Sequence, residues 1–186
     1  MDVRARTATL MRRCGDWRAA AYACALALTS AGALLPSAAS GESEVQCLQR
    51  TAERYALPVS LLRAIRDVEG GRQGTWRRNT NRSYDYGLMQ INSVWLPRLK
   101  PLGYDAYVLT HDRCASIDVA GWILAQALAE AGDGVVSDAR RYWRAVGRYH
   151  SATASHNRAY AERVWRRMED RASDSQARPG SDRNGR

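Results

Sequence analysis

Lysine is almost absent from this chain: Lys100 stands alone among 28 basic residues, so arginine carries nearly all the positive charge. Histidine is scarce as well. Neither His111, His150 and His156 nor the four cysteines fall at metal-ligand spacing, which leaves no motif for a metal centre; no metal and no cofactor are expected. No internal repeat is present, which excludes a stacked-repeat architecture. Long apolar runs are missing except for one, Ala19 to Leu35, about 17 residues without a charge. Arg4, Arg6, Arg12, Arg13 and Arg18 precede it, and Pro36 and the small residues SAAS follow. Basic, then apolar, then small is the order of a secretory signal peptide. A retained membrane anchor competes with it, but the run is Ala-rich, short for a span and lacks a basic stop-transfer flank. Residues 1–40 are therefore expected to be a signal peptide, starting at Met1 or Met11. The remainder would be exported to the periplasm or cell envelope, with no membrane span after cleavage.

The formal net charge is +9, and removing residues 1–40, with five basic and two acidic side chains, leaves +6. The planar arginine fork suits carboxylates and phosphates. Export argues against nucleic acid as the partner and favours an anionic envelope polymer, although a solvated surface that merely keeps the protein soluble explains the charge equally well. Cys14 and Cys24 belong to the leader, which leaves Cys47 and Cys114. In an exported domain such a pair reads as one disulfide, and closing a loop of about 68 residues stabilises by roughly 4 kcal/mol in the chain-entropy model. Two buried thiols are the alternative.

Apolar periodicity predicts a mainly α protein. Val45, Leu48, Ala52 and Tyr55 mark a first helix between residues 43 and 56. Leu61, Leu62, Ile65 and Val68 mark a second, begun after Pro58 and stopped by Gly70 and Gly71. From Arg72 to Tyr86 the chain is polar and aperiodic, which predicts a long loop or a small hairpin. A short helix is expected to begin near Asn92 or Ser93 and to be cut by Pro97 and Pro101. Ile117, Ala120, Leu124, Ala127 and Leu128 define a core helix over 114–131, and two more helices are expected over 138–150 and 157–168. Residues 41–170 thus read as one domain, and residues 171–186, with nothing to bury, as a disordered tail.

Within this pattern Glu69 is misplaced. It follows Leu62 by seven residues and Ile65 by four, so its carboxyl group lies over the apolar stripe and at the negative end of the helix dipole. Both effects favour the protonated acid. The bland reading is that Glu69 reaches solvent or pairs with Arg66 or Arg72. YDYGLMQIN, residues 84–92, adds carboxamides and tyrosines, which are groups that read sugar hydroxyls.

AIRDVEGG, YDYGLMQIN and RYHSATASHNRAYAERVW together resemble, in order and spacing, the three signature blocks of the soluble lytic transglycosylase family across roughly residues 44–168. The resemblance implies a lysozyme-like fold, of the goose-type lysozyme kind, as a single domain with a long active-site loop or small hairpin. It implies Glu69 as the catalytic acid, with Tyr86, Gly87, Met89, Gln90 and Asn92 on the substrate side and the Tyr149 hydroxyl pointing at the acid. His150 would be structural or adjacent to substrate. The substrate would be peptidoglycan, cleaved between N-acetylmuramic acid and N-acetylglucosamine with a 1,6-anhydro product. The pair Cys47 and Cys114 is similar to that of small members that accompany secretion, conjugation and pilus systems. Two departures stand out: Gly70 where a serine commonly follows the glutamate, and Asn92 where many members carry methionine. Asp85 is the available second carboxylate, so a hydrolytic lysozyme is the alternative enzyme. An inactive glycan-binding or assembly protein is the alternative of another class.

Overall fold

A computed structural model describes residues 42–177; residues 1–41, which contain the expected signal peptide, 1–40, and residues 178–186 lie outside the described residues. The first helix, α1 (Glu44–Tyr55), starts where Ser43 accepts from the Gln46 N–H and Gln46 returns the contact to the Ser43 backbone, a reciprocal cap. It stops at Ala56 in the left-handed region. Pro58 leads into α2 (Val59–Glu69), whose buried residues Leu61, Leu62, Ala64 and Ile65 are the stripe read from the sequence. Glu69 is its last residue, and Gly70 caps it at φ +60°.

The polar stretch after α2 forms a hairpin. β1 (Trp76–Arg78) pairs antiparallel with β2 (Tyr84–Tyr86), Trp76 opposite Tyr86, and β2 pairs with β3 (Ile91–Asn92), Asp85 opposite Asn92. Alternation on β2 sends Asp85 inward and leaves Tyr84 and Tyr86 half-exposed on the other side. A 3-10 turn (Ser93–Trp95) and the short α3 (Leu96–Leu99) follow, then α4 (Ala106–His111), an element with no counterpart in the sequence-based expectations.

The centre of the fold is α5 (Arg113–Glu130), begun by Asp112 accepting from the Cys114 and Ala115 N–H groups. Ten of its residues are buried, so it is apolar nearly all round rather than amphipathic, as an internal helix must be. α1 packs along it, and the Cys47–Cys114 disulfide joins the two. α6 (Ala139–Gly147) and α7 (Ala154–Ala177) complete the shell, with α7 packed on both α2 and α6.

α7 runs through residues 171–177, which the sequence assigns to a disordered tail. The reason is electrostatic. Asp67 on α2 accepts from Arg167 Nε at 2.8 Å and from Arg171 Nε at 2.7 Å, so the carboxylate holds two successive turns of α7. Among the described residues no helix is long and apolar enough to cross a membrane.

Candidate active site

Gly71 decides how closely the end of α2 approaches the GLMQ turn. A Cβ there would lie 2.3 Å from the Gly87 carbonyl oxygen, 2.6 Å from that of Leu88 and 2.9 Å from Gln90 Nε2. Only glycine allows the two signature blocks to touch, and this contact places Gln90 beside the backbone that follows Glu69. The turn is held from its other flank too: Gly87, at φ +64°, would drive a Cβ to 2.0 Å from the Leu109 carbonyl oxygen. Gly71→Ala is therefore expected to cost roughly 2–4 kcal/mol of stability and at least tenfold in glycan cleavage by the folded protein. Urea melts and wall-digestion rates measure the two effects; a substitution without effect on either would show that the approach is not required.

The carboxyl group of Glu69 is partly buried, and its Oε1 accepts a 2.6 Å hydrogen bond from the Tyr160 hydroxyl on α7. Its Oε2 has no hydrogen-bond partner among the described residues. Burial pushes the pKa up to about 7, against the opposing Tyr160 hydrogen bond; the Asp85 charge raises it further, while Arg163 and Arg77 lower it. An ion pair with Arg66 or Arg72 is not what Glu69 makes: Arg66 pairs instead with Glu44 at 2.6 Å. At neutral pH a large fraction of Glu69 is a carboxylic acid with one oxygen fixed and the other available.

Tyr160 lies on the helix expected over 157–168 and is not among the candidate site residues of the sequence. It is 1% exposed, and its ring stacks nearly parallel to that of His150 at 4.9 Å and to that of Tyr149 at 6.1 Å. The Arg163 guanidinium sits 5.5 Å from the ring centroid. Burial and the Glu69 charge hold the Tyr160 phenol well above its ordinary pKa, so it stays a donor. Burial and the positive charge of Arg163 keep the His150 imidazole below its usual value, hence uncharged at neutral pH.

Tyr149 lies within electrostatic reach of the acid, since burial first and the Glu69 charge second raise the pKa of its phenol. Its hydroxyl donates to the Met89 carbonyl at 2.9 Å rather than to Glu69. The Met89 N–H donates to Ser116 Oγ on α5 at 3.1 Å, so the GLMQ backbone is fastened on both sides. Gln90 adopts φ +49°, and its Nε2 donates to the Gly87 carbonyl at 2.8 Å.

Asn92 and Asp85 belong to one network. Asn92 Nδ2 donates to Asp85 Oδ1 at 2.7 Å and to Ser83 Oγ at 2.9 Å, while its Oδ1 accepts from the Val94 N–H. Both of its amide hydrogens are thus engaged within the hairpin, so direct sugar contact through them requires that network to open. Asp85 Oδ2 accepts from Arg77 Nη2 at 3.1 Å and Asn79 Nδ2 at 2.9 Å. Three donors occupy this carboxylate, which is 8% exposed, so its oxygens are committed to holding the hairpin rather than poised to activate water. On the outer side of the hairpin, Trp76, Tyr84 and Tyr86 form a ladder with centroids 5.6 and 6.3 Å apart. The metal-type cluster among the described residues is Glu42, Cys47 and Cys114, and its sulfurs are already joined to each other.

Tyr160→Phe tests the coupling. Removing the hydroxyl is expected to raise the Glu69 pKa by about one unit, because the lost hydrogen bond favours the carboxylate, and to lower the maximal cleavage rate about tenfold. The pH profile is the discriminating readout. Its alkaline limb should move upward, which lost packing alone would not produce.

A helical domain with an isolated acid beside a small antiparallel sheet is a lysozyme-like arrangement. The family described as "Transglycosylase SLT domain" matches residues 46–171, and the chain belongs to that family. Relatives include Protein IpgF of Shigella flexneri, 35% identical over 126 residues that cover 65% of this chain and 78% of the relative. Invasion protein IagB of Salmonella typhimurium is 31% identical over 124 residues, covering 64% and 72%. A "Peptidoglycan-binding-like protein" of Escherichia coli O157:H7 is 26% identical over 131 residues, covering 64% and 74%. Family membership supports a function of the lytic transglycosylase type, with peptidoglycan as the substrate class.

Proposed function

We propose that this protein cleaves the β-1,4 bond between N-acetylmuramic acid and N-acetylglucosamine with Glu69 acting alone, and releases 1,6-anhydromuramic ends. The observation that carries this reading is the contrast between two carboxylates. Glu69 keeps its proton on about half of the molecules near pH 7 and has a free oxygen, whereas Asp85 is saturated by Arg77, Asn79 and Asn92. Hydrolysis with inversion or retention ordinarily needs a second working carboxylate. Here one group serves twice. The Glu69 carboxyl gives its proton to the linking oxygen as the C1–O bond breaks, and Tyr160 stabilises the resulting carboxylate through Oε1. The carboxylate then takes the proton from the muramic C6 hydroxyl as that oxygen bonds to C1. The proton is back on Glu69 and no water has been consumed.

Gln90 is the group proposed to contact the sugar, with Tyr86 as a stacking surface; Gly87 and the fully buried Met89, whose backbone groups are already bonded to Gln90, Thr75, Tyr149 and Ser116, hold the turn from within instead of touching substrate. Tyr149 acts as a positioning residue for that turn. We assign the protein to local opening of the wall for a larger envelope machine in the periplasm. Support comes from the disulfide, which fits an oxidising compartment, and from the relative named an invasion protein. The test is digestion of purified walls by the full chain and by Glu69→Gln, with mass spectrometry of fragment ends. Anhydro ends from the wild type and none from the variant are expected. Reducing muramic ends would instead establish a lysozyme.

A further inference from the structure

A groove on the far side of α7 has no part in this chemistry. Along a helix, Arg158 and Glu162 lie roughly 160° from Tyr160, so the stripe formed by Arg158, Glu162 and Trp165 faces away from Glu69. Between this stripe and α6 lies an open groove of about 660 Å³. Its floor is Ala139, Ala161 and the near-parallel indoles of Trp143 and Trp165, with centroids 5.7 Å apart. Trp165 is 41% exposed, unusual for so large an apolar side chain. Arg140, Arg144 and Arg158 stand around the rim, and none of them makes an ion pair with a described residue. Their charge is therefore unspent.

We propose that this groove docks an acidic segment of a partner protein, an apolar side chain seated against Trp143 and Trp165 and flanking carboxylates paired with Arg140, Arg144 and Arg158. Charge selects among the occupants. A second copy of this chain, at +9 or, without residues 1–40, at +6, is repelled, and residues 178–186 carry Arg178, Arg183 and Arg186 against Asp182. Chemistry favours a peptide over a glycan. Indoles stack on sugar rings, but the hydroxyls around each ring also need donors and acceptors, and here the rest of the floor is apolar and the Asn157 amide beside it is spent on the Arg144 and Ser151 carbonyls. A concave pocket also suits an inserted side chain better than a flat lipid surface. Aromatic and arginine side chains together are the usual anchors of protein interfaces.

The experiment titrates the full chain with a labelled synthetic peptide alternating Glu and Leu, a version with Lys in place of Glu, phosphatidylglycerol vesicles and soluble muramyl glycans. Binding is expected for the acidic peptide and not for its lysine version. Trp165→Ala and Arg158→Glu should each weaken it at least about tenfold, and Lys100→Glu, with the same change of charge, less than about twofold. Arg158 is exposed, so its variant keeps the wild-type melting curve and wall-cleaving rate, which separates this docking from the catalytic reading. Equal weakening by Lys100→Glu would reduce the effect to net charge and overturn the proposal. So would absence of peptide binding, or binding of vesicles or glycans in its place.

Discussion

Glu69→Gln abolishes glycan cleavage, by roughly 10³-fold or more, and makes the protein more stable at alkaline pH. The second effect follows from the sign of the pKa shift. Glu69 titrates at about 7 in the folded chain against 4.5 for an ordinary glutamate. Between those values the folded state holds a proton that the unfolded state has lost, so the stability present below pH 4.5 falls as pH rises to about 7 and is then flat. Glutamine carries no such penalty and still accepts from Tyr160. Wild type and variant should therefore melt alike near pH 4, and the variant should exceed wild type by roughly 2–3 kcal/mol at pH 8.5. Urea melts at the two pH values check this. A constant difference would mean that the carboxyl group is solvated. The same titration governs catalysis: the acid form is active, so cleavage should fall about tenfold per pH unit above 7.

Cys47→Ala with Cys114→Ala is expected to cost about 4 kcal/mol, or roughly 10–20 °C in melting temperature. The disulfide closes 67 residues of sequence and ties the start of α1 to the start of α5, the helix around which the core is built. Its loss therefore loosens the unfolded chain and the main helix pair together, while α2 and α7, which carry Glu69 and Tyr160, keep their own packing. Cleavage by the folded fraction should persist well below the lowered midpoint. Dithiothreitol should shift the wild type to the variant's midpoint and leave the variant unmoved. An unchanged wild type under reduction would show that the bond contributes nothing.

Much of the helical framework was legible because burial follows a period of 3.6 residues. Leu61, Leu62 and Ile65 located α2, and Ile117, Ala120 and Leu124 located α5 with nearly correct ends. α4 escaped notice because AYVLTH is only six residues long and contains β-branched side chains, so too few turns exist to show a period. The end of α7 was misread because its last turns hold to α2 through Asp67, a contact across about a hundred residues that local composition does not encode.

The site divides the same way. Glu69 was visible as a carboxyl group on an apolar stripe, a local conflict between side chain and position. Tyr160 sits on an equally regular stripe with Val164 and Met168, and reads as core for that reason. A usable signal did exist: a buried tyrosine needs a partner for its hydroxyl, and Val164 and Met168 offer none. That the partner is Glu69, 91 residues earlier, required the fold. Asp85 was recognised as a carboxylate near the motif, but its three donors depend on the hairpin that delivers Arg77, Asn79 and Asn92 to it. Gly70 in place of the family's serine has a local cause, since it caps α2 at φ +60°, where a serine would be strained.

The most direct test is the titration of Glu69 itself. Carbon-13 NMR of the side-chain carboxyl groups, with Glu69→Gln supplying the assignment, should find one glutamate resonance that changes with a midpoint near pH 7. In Tyr160→Phe that midpoint should move higher. A Glu69 midpoint near 4.5, unmoved by the loss of the Tyr160 hydroxyl, would contradict a protonated acid at the end of α2.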